Sequence, residues 1–202
     1  MKAESINEKN VAPNPWEQFG KWYNEHLSSR PRIPGVVYLA TSSLDGKVTL
    51  RTVLLKDFDE NGFTFYTNYN SAKSYQLKQN PHAALLFYWP ESDRQVRIEG
   101  KAIKVPPQVS DEYFKTRPRE SQLAAWASDQ SSQLPGRLHL ENEFGHFMQL
   151  YSGKEIPRPE HWGGFLVVPD SFEFWEDREH RLHDRIVYKR FGDSWNIKRL
   201  AP

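Results

Sequence analysis

Apolar residues recur along this chain in two rhythms, one of three to four positions and one of two, and their alternation predicts a mainly β protein with peripheral helices. Trp16, Phe19, Trp22 or Tyr23, and His26 or Leu27 follow at helical spacing. Asn14 stands where an N-cap belongs, Pro15 at the first helical position and Glu17 where a capping box needs it, so a short amphipathic helix is expected over 15–28. Past a proline-bearing loop, residues 36–42 form an apolar, β-branched run. Leu44-Asp45-Gly46-Lys47 then turns the chain into a strand over 47–57, and Glu60-Asn61-Gly62 turns it again into a strand over 63–67. These three strands are expected to form a meander. Ser71 can cap a helix running to about Asn80, which Pro81 stops, and 82–89 with 94–105 read as a further hairpin around 90–93.

The middle of the chain changes rhythm. Pro106-Pro107 breaks the strand, and 110–116, 120–128 and 137–151 each suit helices, separated by Pro118 and by the polar stretch 131–136. These helices are expected to cover one end of the sheet. From Trp162-Gly163-Gly164 the strand pattern returns over 165–175, 182–191 and 194–200. Many antiparallel strands with few helices suggest a closed or nearly closed barrel, because closure removes exposed sheet edges. Residues 1–13 are polar and proline-bearing and read as a flexible arm, neither signal peptide nor membrane anchor. With 202 residues and no internal repeat, 14–202 is expected to form a single domain.

Composition narrows the function. Lys and Arg number 27 against 26 Asp and Glu, so no bulk field recruits nucleic acid or an anionic membrane, and any anion site has to be local. There is no cysteine, which removes disulfides, thiolate nucleophiles and zinc ribbons and fits a soluble, cytoplasmic protein. Seven Trp, nine Tyr and twelve Phe suit stacking on a flat ligand or filling a small barrel. No glycine-rich phosphate loop and no GxSxG elbow occurs. His180 and His183, three apart, match no metal-ligand pattern.

The richest stretch is 172–185, FEFWEDREHRLHDR. If it is extended beyond His180, the two-residue repeat of a strand puts Arg181, His183 and Arg185 on one face, where two guanidiniums and an imidazole suit an anion. A solvated strand face would show the same alternation of Arg and Asp. Arg51 and Lys56 bracket a strand, on opposite faces unless a bulge or the strand end re-aims one of them. Tyr66, Thr67 and Asn68 with Ser71 and Lys73 place hydroxyls and a cation at a helix N-terminus. Tyr113, Arg117 and Ser121 could meet a second phosphate, Tyr113 and Arg117 sharing a helix face. Gln95 and Gln130-Ser131-Ser132 add neutral donors and acceptors.

Arg51-Thr-Val-Leu-Leu-Lys56, Phe65-Tyr-Thr-Asn68, Arg117-Pro-Arg-Glu-Ser121, Gln130-Ser-Ser132, and Phe172-Glu-Phe-Trp175 with Arg181-Leu-His-Asp-Arg185 occur together and in this order. In that combination the chain, over 15–202, resembles the pyridoxamine 5′-phosphate oxidase family. The resemblance implies an antiparallel FMN-binding split β-barrel, assembled as a homodimer with FMN in two clefts at the subunit interface. It implies oxidation of pyridoxamine 5′-phosphate or pyridoxine 5′-phosphate to pyridoxal 5′-phosphate, with a hydride equivalent passing to the flavin and O2 reoxidising it to give peroxide.

Carried over position by position, the resemblance implies that Arg51, Thr52, Val53, Leu54, Leu55, Lys56, Tyr66, Thr67, Lys73, Gln130 and Ser131 hold FMN. Gln95, Trp175 and Arg185 would close on it, some from the partner chain. Lys56, Tyr113, Arg117 and Ser121 would clamp the substrate phosphate, and Arg181 and His183, the catalytic pair, would hold the pyridine ring over the flavin. A split-barrel flavin oxidase acting on another substrate, or a non-catalytic flavin-binding barrel, is the alternative. The chain departs from the family pattern at two places. Ala72 stands where the family usually has Arg or Lys, which predicts weaker FMN retention, and residues 1–13 show no clear counterpart of the Arg and Tyr that fold over the substrate in some members.

Overall fold

Nine strands pair into one antiparallel sheet: β1 (Val36–Ser42), β2 (Val48–Leu54), β3 (Asp57–Asp59), β4 (Gly62–Asn68), β5 (His82–Trp89), β6 (Arg94–Lys104), β7 (Trp162–Glu176), β8 (Asp184–Phe191) and β9 (Ser194–Arg199). Among the described residues five α-helices accompany them: α1 (Pro15–Ser28), α2 (Ala72–Gln79), α3 (Pro107–Thr116), α4 (Arg119–Ala127) and α5 (Arg137–Leu150). The structure is a computed structural model and describes residues 5–202.

The strand order β2-β1-β5-β6-β7-β4-β3, with β8 and β9 continuing from β7, corrects the expected three-strand meander. Strand β4 pairs with β7 and β3 rather than with β2, at the far side of the sheet. The expected strand over 47–57 is accordingly broken. Leu55 N–H still donates to Gly35 O beside β1, at 2.7 Å, whereas Lys56 N–H donates to Thr64 O of β4, at 2.9 Å. The chain therefore steps from one edge of the sheet to the other within two residues, which curls the sheet into a split barrel. The split barrel that the resemblance implies, and the nearly closed barrel that the strand pattern suggests, is thus the observed architecture, with no helix among the described residues long and apolar enough to cross a membrane.

Helix α1 plugs the curled sheet. Asn14 Oδ1 accepts from Trp16 N–H at 2.9 Å, as the capping pattern predicts. Phe19 and Trp22 are almost wholly buried. Phe19 meets Phe58, Phe63 and Phe87 edge-on at 4.9–5.0 Å, and Trp22 meets Phe174 at 5.3 Å. Such contacts are worth roughly 0.5–1.5 kcal/mol each beyond the area they bury. The aromatic load thus fills the barrel as well as lining the cleft described below.

The flexible arm expected over 1–13 needs correction where it is described. Ile6 and Val11 are buried in the main core, Ile6 N–H donates to Glu176 Oε2 at 3.1 Å, and Tyr188 Oη donates to Ala12 O at 2.6 Å. Residues 1–4 of that arm lie outside the described residues. Its polar sequence hid two apolar anchors at five-residue spacing, too sparse to register as a periodic element.

In the middle, α3 begins at Pro107 instead of three residues later, because a proline loses nothing at a first helical position. Helices α3 and α4 with the start of β7 bury a second apolar cluster of Phe114, Leu123, Ala125, Ile156 and Trp162. This cluster caps one end of the barrel and forms a wall of the cleft.

Candidate functional site

Between that helical cap and the barrel wall lies a cleft of about 580 Å³. Thr52, Val53, Leu54, Lys56, Tyr66, Thr67, Lys73, Tyr113, Arg117, Ser121 and Gln130 all line it. Four segments scattered along the sequence therefore meet here. Beyond the end of β2 at Leu54, Lys56 turns into the cleft.

Lys73 is the electrostatic centre of one end. It is 8% exposed, and its ammonium donates to Thr67 Oγ1 at 3.0 Å, Ser71 Oγ at 3.0 Å and Gln130 Oε1 at 2.8 Å. All three partners are neutral. Burial, with Arg51 nearby, pulls its pKa down to about 8. Ser71 stands at the N-cap of α2 without capping it; its hydroxyl serves Lys73 and Ser74 instead. Arg51 does not line the cleft. Its guanidinium donates to Leu39 O at 3.0 Å and Thr41 Oγ1 at 2.7 Å, with Thr49 Oγ1 also in reach, and burial lowers its pKa. Two cations, Lys73 buried and Arg51 half-buried, are held only by neutral oxygens and leave this corner with an unanswered positive charge, which an anion would satisfy.

The other end is aromatic and cationic. Tyr66 and Tyr113 stack at 3.9 Å between ring centroids, and Trp162 continues the stack 5.4 Å from Tyr66. Burial, and then the adjacent Tyr113, push the Tyr66 phenol up to about 12, so it stays a neutral donor. Arg117, just past the end of α3, lies over Trp162 with its guanidinium carbon 4.4 Å from the ring centre. Its Nη1 is buried without a hydrogen-bond partner among the described residues. A buried, unpartnered guanidinium nitrogen costs on the order of 1–3 kcal/mol unless a ligand meets it.

Other expected site residues sit elsewhere on the chain. Leu55 is buried in the main core, and Ser131 borders a separate small cavity with Ala72 and Tyr75. Gln95, Trp175 and Arg185 form one rung across three strands, because β6 pairs Gln95 with Trp175 and β8 pairs Arg185 with Trp175. Gln95 and Trp175 open on another cavity, not on the cleft. Buried Glu173 holds Arg185 Nε at 2.8 Å and Arg97 Nη2 at 2.6 Å.

The face expected to unite Arg181, His183 and Arg185 does not form. His180 and Arg181 take left-handed backbone angles, φ 58° and 62°, and β8 starts only at Asp184. Arg181 is exposed in that turn. His183 stays close to the rung, its ring 4.7 Å from Trp175. Its Nδ1 lies 3.2 Å from Arg178 N–H and 3.0 Å from Asp177 Oδ1.

Trp162, Thr116, Pro118 and Ser128, to which the sequence assigns no ligand role, also line the cleft, as does Asn68 of the cluster with Tyr66, Thr67, Ser71 and Lys73. Asn68 Nδ2 donates to Ser128 O at 3.1 Å, tying the strand end to α4. The signal for Trp162 was the Gly-Gly pair after it, where small residues make room for close-packed rings.

The donor set fits a flat phosphorylated cofactor: a buried ammonium for a phosphate, hydroxyls beside it, and strand β2 with a stack of rings along the cleft. Comparison with known proteins gives the family. Residues 23–149 match the family described as pyridoxamine 5′-phosphate oxidase, and residues 162–202 match the pyridoxine 5′-phosphate oxidase C-terminal dimerisation region. A pyridoxine/pyridoxamine 5′-phosphate oxidase of Nostoc sp. is 49% identical over 98% of this chain and 94% of its own length. One of Rubrobacter xylanophilus is 49% identical over 98% and 91%. Among solved structures, PhzG of Burkholderia lata in complex with tetrahydrophenazine-1-carboxylic acid superposes with a TM-score of 0.92 at 27% identity, covering all of both chains. A pyridoxamine 5′-phosphate oxidase-related FMN-binding protein of Nostoc punctiforme shares the fold, with a TM-score of 0.74 at 18% identity over 95% of this chain and all of that one.

Proposed function

The chain belongs to the pyridoxamine 5′-phosphate oxidase family, and from that premise we propose that it is an FMN-dependent, cytoplasmic oxidase converting pyridoxamine 5′-phosphate or pyridoxine 5′-phosphate to pyridoxal 5′-phosphate. The observation that carries this reading is the pair of unanswered cationic centres in one cleft, Lys73 at one end and Arg117 at the other. One suits the cofactor phosphate and the other the substrate phosphate.

Lys73, Thr67, Gln130 and the nearby Arg51 would bind the FMN phosphate, with Ser131 beyond them and 51–56 along the flavin. Lys56, Tyr113, Arg117 and Ser121 would orient the substrate by its phosphate. When bound, FMN supplies the hydride acceptor and O2 restores it with release of peroxide; the protein supplies alignment and local field. Gln95, Trp175 and Arg185, together with Arg181 and His183, lie off the cleft of their own chain, which supports a homodimer in which one protomer completes the other's site. The exposed apolar residues Val48, Leu50 and Leu138, each 66–68% accessible, are surface for such a partner.

The structural likeness to PhzG favours a second reading, a related oxidase acting on a larger unphosphorylated ring system. The four phosphate-clamp residues gathered in one cleft weigh against it. Flavin absorbance in the purified protein, followed by anaerobic addition of pyridoxine 5′-phosphate, tests the proposal. Bleaching is expected with the phosphate ester and not with pyridoxine; bound flavin that no phosphorylated substrate bleaches would overturn it.

A further inference from the structure

Beneath His183 runs a lattice of ion pairs that the cleft chemistry does not use. Arg178 is its hub. Its Nε donates to Asp184 Oδ2 at 2.6 Å, its Nη2 bonds Glu176, and its backbone N–H donates to His183 Nδ1 at 3.2 Å. Glu176 is buried and also receives Arg94 Nε at 3.0 Å and the Ile6 N–H at 3.1 Å. Asp184 also receives Arg199 Nη1 at 2.6 Å, and Arg199 reaches Glu8 at 3.1 Å. The carboxylates on either side of the 177–183 turn are thus gripped by one guanidinium, and the described end of the N-terminal segment is pinned to both.

Magnitudes rank these contacts. The Arg94–Glu176 pair is 8% and 7% exposed and anchors the lattice in the core, whereas Arg199–Glu8, at 37% and 46%, is a surface pair worth little. Arg178, at 27% exposure, bridges the rigid anchor to Asp184, at 14%. The turn itself carries two non-glycine residues with left-handed backbone, His180 and Arg181. Such residues persist only where the surroundings hold them.

We propose that Arg178 is a positioning residue for His183: by clamping Glu176 and Asp184 it fixes the turn so that Asp177 and the Arg178 N–H occupy Nδ1 and leave Nε2 as the imidazole's working nitrogen. This rests on the reading that His183 meets the substrate. The two Nδ1 partners make opposite demands, since the Arg178 N–H needs a lone pair and the Asp177 carboxylate needs a proton. Small displacements of the turn therefore change which tautomer the ring adopts and what Nε2 offers.

FMN-loaded Arg178→Ala and Arg178→Lys, with His183→Ala beside them, test this using pyridoxine 5′-phosphate. Folding should survive the change, because Glu176 keeps Arg94 and Asp184 keeps Arg199. Arg178→Ala is expected to lower kcat/KM roughly ten- to a hundredfold, the scale of a small misplacement, while flavin stays bound. Arg178→Lys should recover part of the loss by restoring one of the two pairs. The ring-nitrogen shifts of His183 in isotope-labelled full-length protein should move in Arg178→Ala towards a mixture of tautomers. Wild-type kinetics with unmoved shifts in Arg178→Ala would overturn the proposal. Should His183→Ala prove fully active, the substrate role of His183 fails instead, and the nitrogen shifts alone decide: moved, they support positioning; unmoved, they sink it.

Discussion

The ammonium of Lys73 lies 2.8 Å from the amide oxygen of Gln130, and no ion pair reaches it among the described residues. Its charge is stabilised by dipoles alone, so its protonation should govern anion binding. With a folded pKa near 8 against an ordinary 10.5, the proton is held below about pH 8 and lost above it. FMN affinity of the apoprotein is therefore expected to be greatest near neutrality and to fall as pH rises past 8, approaching roughly tenfold per pH unit. Stability of the apoprotein moves the other way. Between the two pKa values the unfolded chain binds more protons than the folded one, so this group's contribution to stability rises with pH across that window. Fluorescence titration of FMN and thermal melts at matched pH values check both signs, and Lys73→Met should remove both dependences.

Ala72 opens the first turn of α2, and its N–H points to Ser131 Oγ at 3.3 Å. The cavity it borders, about 330 Å³ with Asn70, Tyr75, Asp129 and Ser132, has room for a longer side chain. Arg introduced here would add a charge-assisted contact to the cofactor phosphate. Ala72→Arg is expected to slow flavin dissociation by roughly tenfold, the scale of one such bond. An unchanged dissociation rate in a stopped-flow dilution assay would refute the weaker FMN retention that Ala72 predicts.

Arg117 has one nitrogen waiting for an acceptor and a face held over Trp162. Arg117→Met preserves much of the stacking surface and removes the charge. KM for pyridoxine 5′-phosphate should rise by a factor on the order of 30–100, matching about 2–3 kcal/mol for a hydrogen bond to a charged group, while the flavin spectrum of the purified protein stays the same. Loss of flavin together with substrate affinity would place Arg117 on the cofactor.

Arg181 is exposed, and among the described residues its side chain has no hydrogen-bond partner. Arg181→Ala should leave the melting temperature and FMN content unchanged and cut turnover at least tenfold, the usual scale for losing a positioned charge. A protein that elutes without flavin would reassign the residue.

Local chemistry explains which parts were legible in the sequence. Asn14 with Pro15, and Asp45 with Gly46, act on their own neighbourhoods, so α1 and the β1–β2 hairpin fell where their signals put them. The jump at Leu55–Lys56 could not be read, because it depends on acceptors far apart in the sequence, Gly35 O just before β1 and Thr64 O in β4. Alternation misled at Arg181 for a related reason. The Arg-Leu-His-Asp-Arg pattern looks like a strand, yet the ion pairs of Arg178 and Asp184 favour a left-handed turn. In the cleft, Lys73 and Arg117 were found through their charge, whereas Trp162 and Asn68 matter through packing that only the assembled cap creates.

Gly164 gives the most direct link between packing and site. A Cβ at this position would stand 2.9 Å from the Tyr66 ring and 2.8 Å from Val105 Cγ2. The backbone cannot retreat. Its N–H donates to Ser110 Oγ at 3.1 Å, and its carbonyl accepts from Val105 N–H and Tyr69 Oη, each at 3.1 Å. The Tyr66 ring must therefore give way, and Tyr113, stacked 3.9 Å beyond it, moves with it towards the substrate-phosphate clamp. Gly164→Ala is expected to cost about 1–3 kcal/mol, the range for overpacking, and to raise KM for the phosphorylated substrate. Gly145→Ala in α5, where nothing lies within 4 Å, supplies the control: it should be neutral or stabilise by roughly 0.5–1 kcal/mol through helix propensity. Equal melting temperatures for the two variants would show that the Tyr66 ring has slack, and that the aromatic stack does not set the clamp.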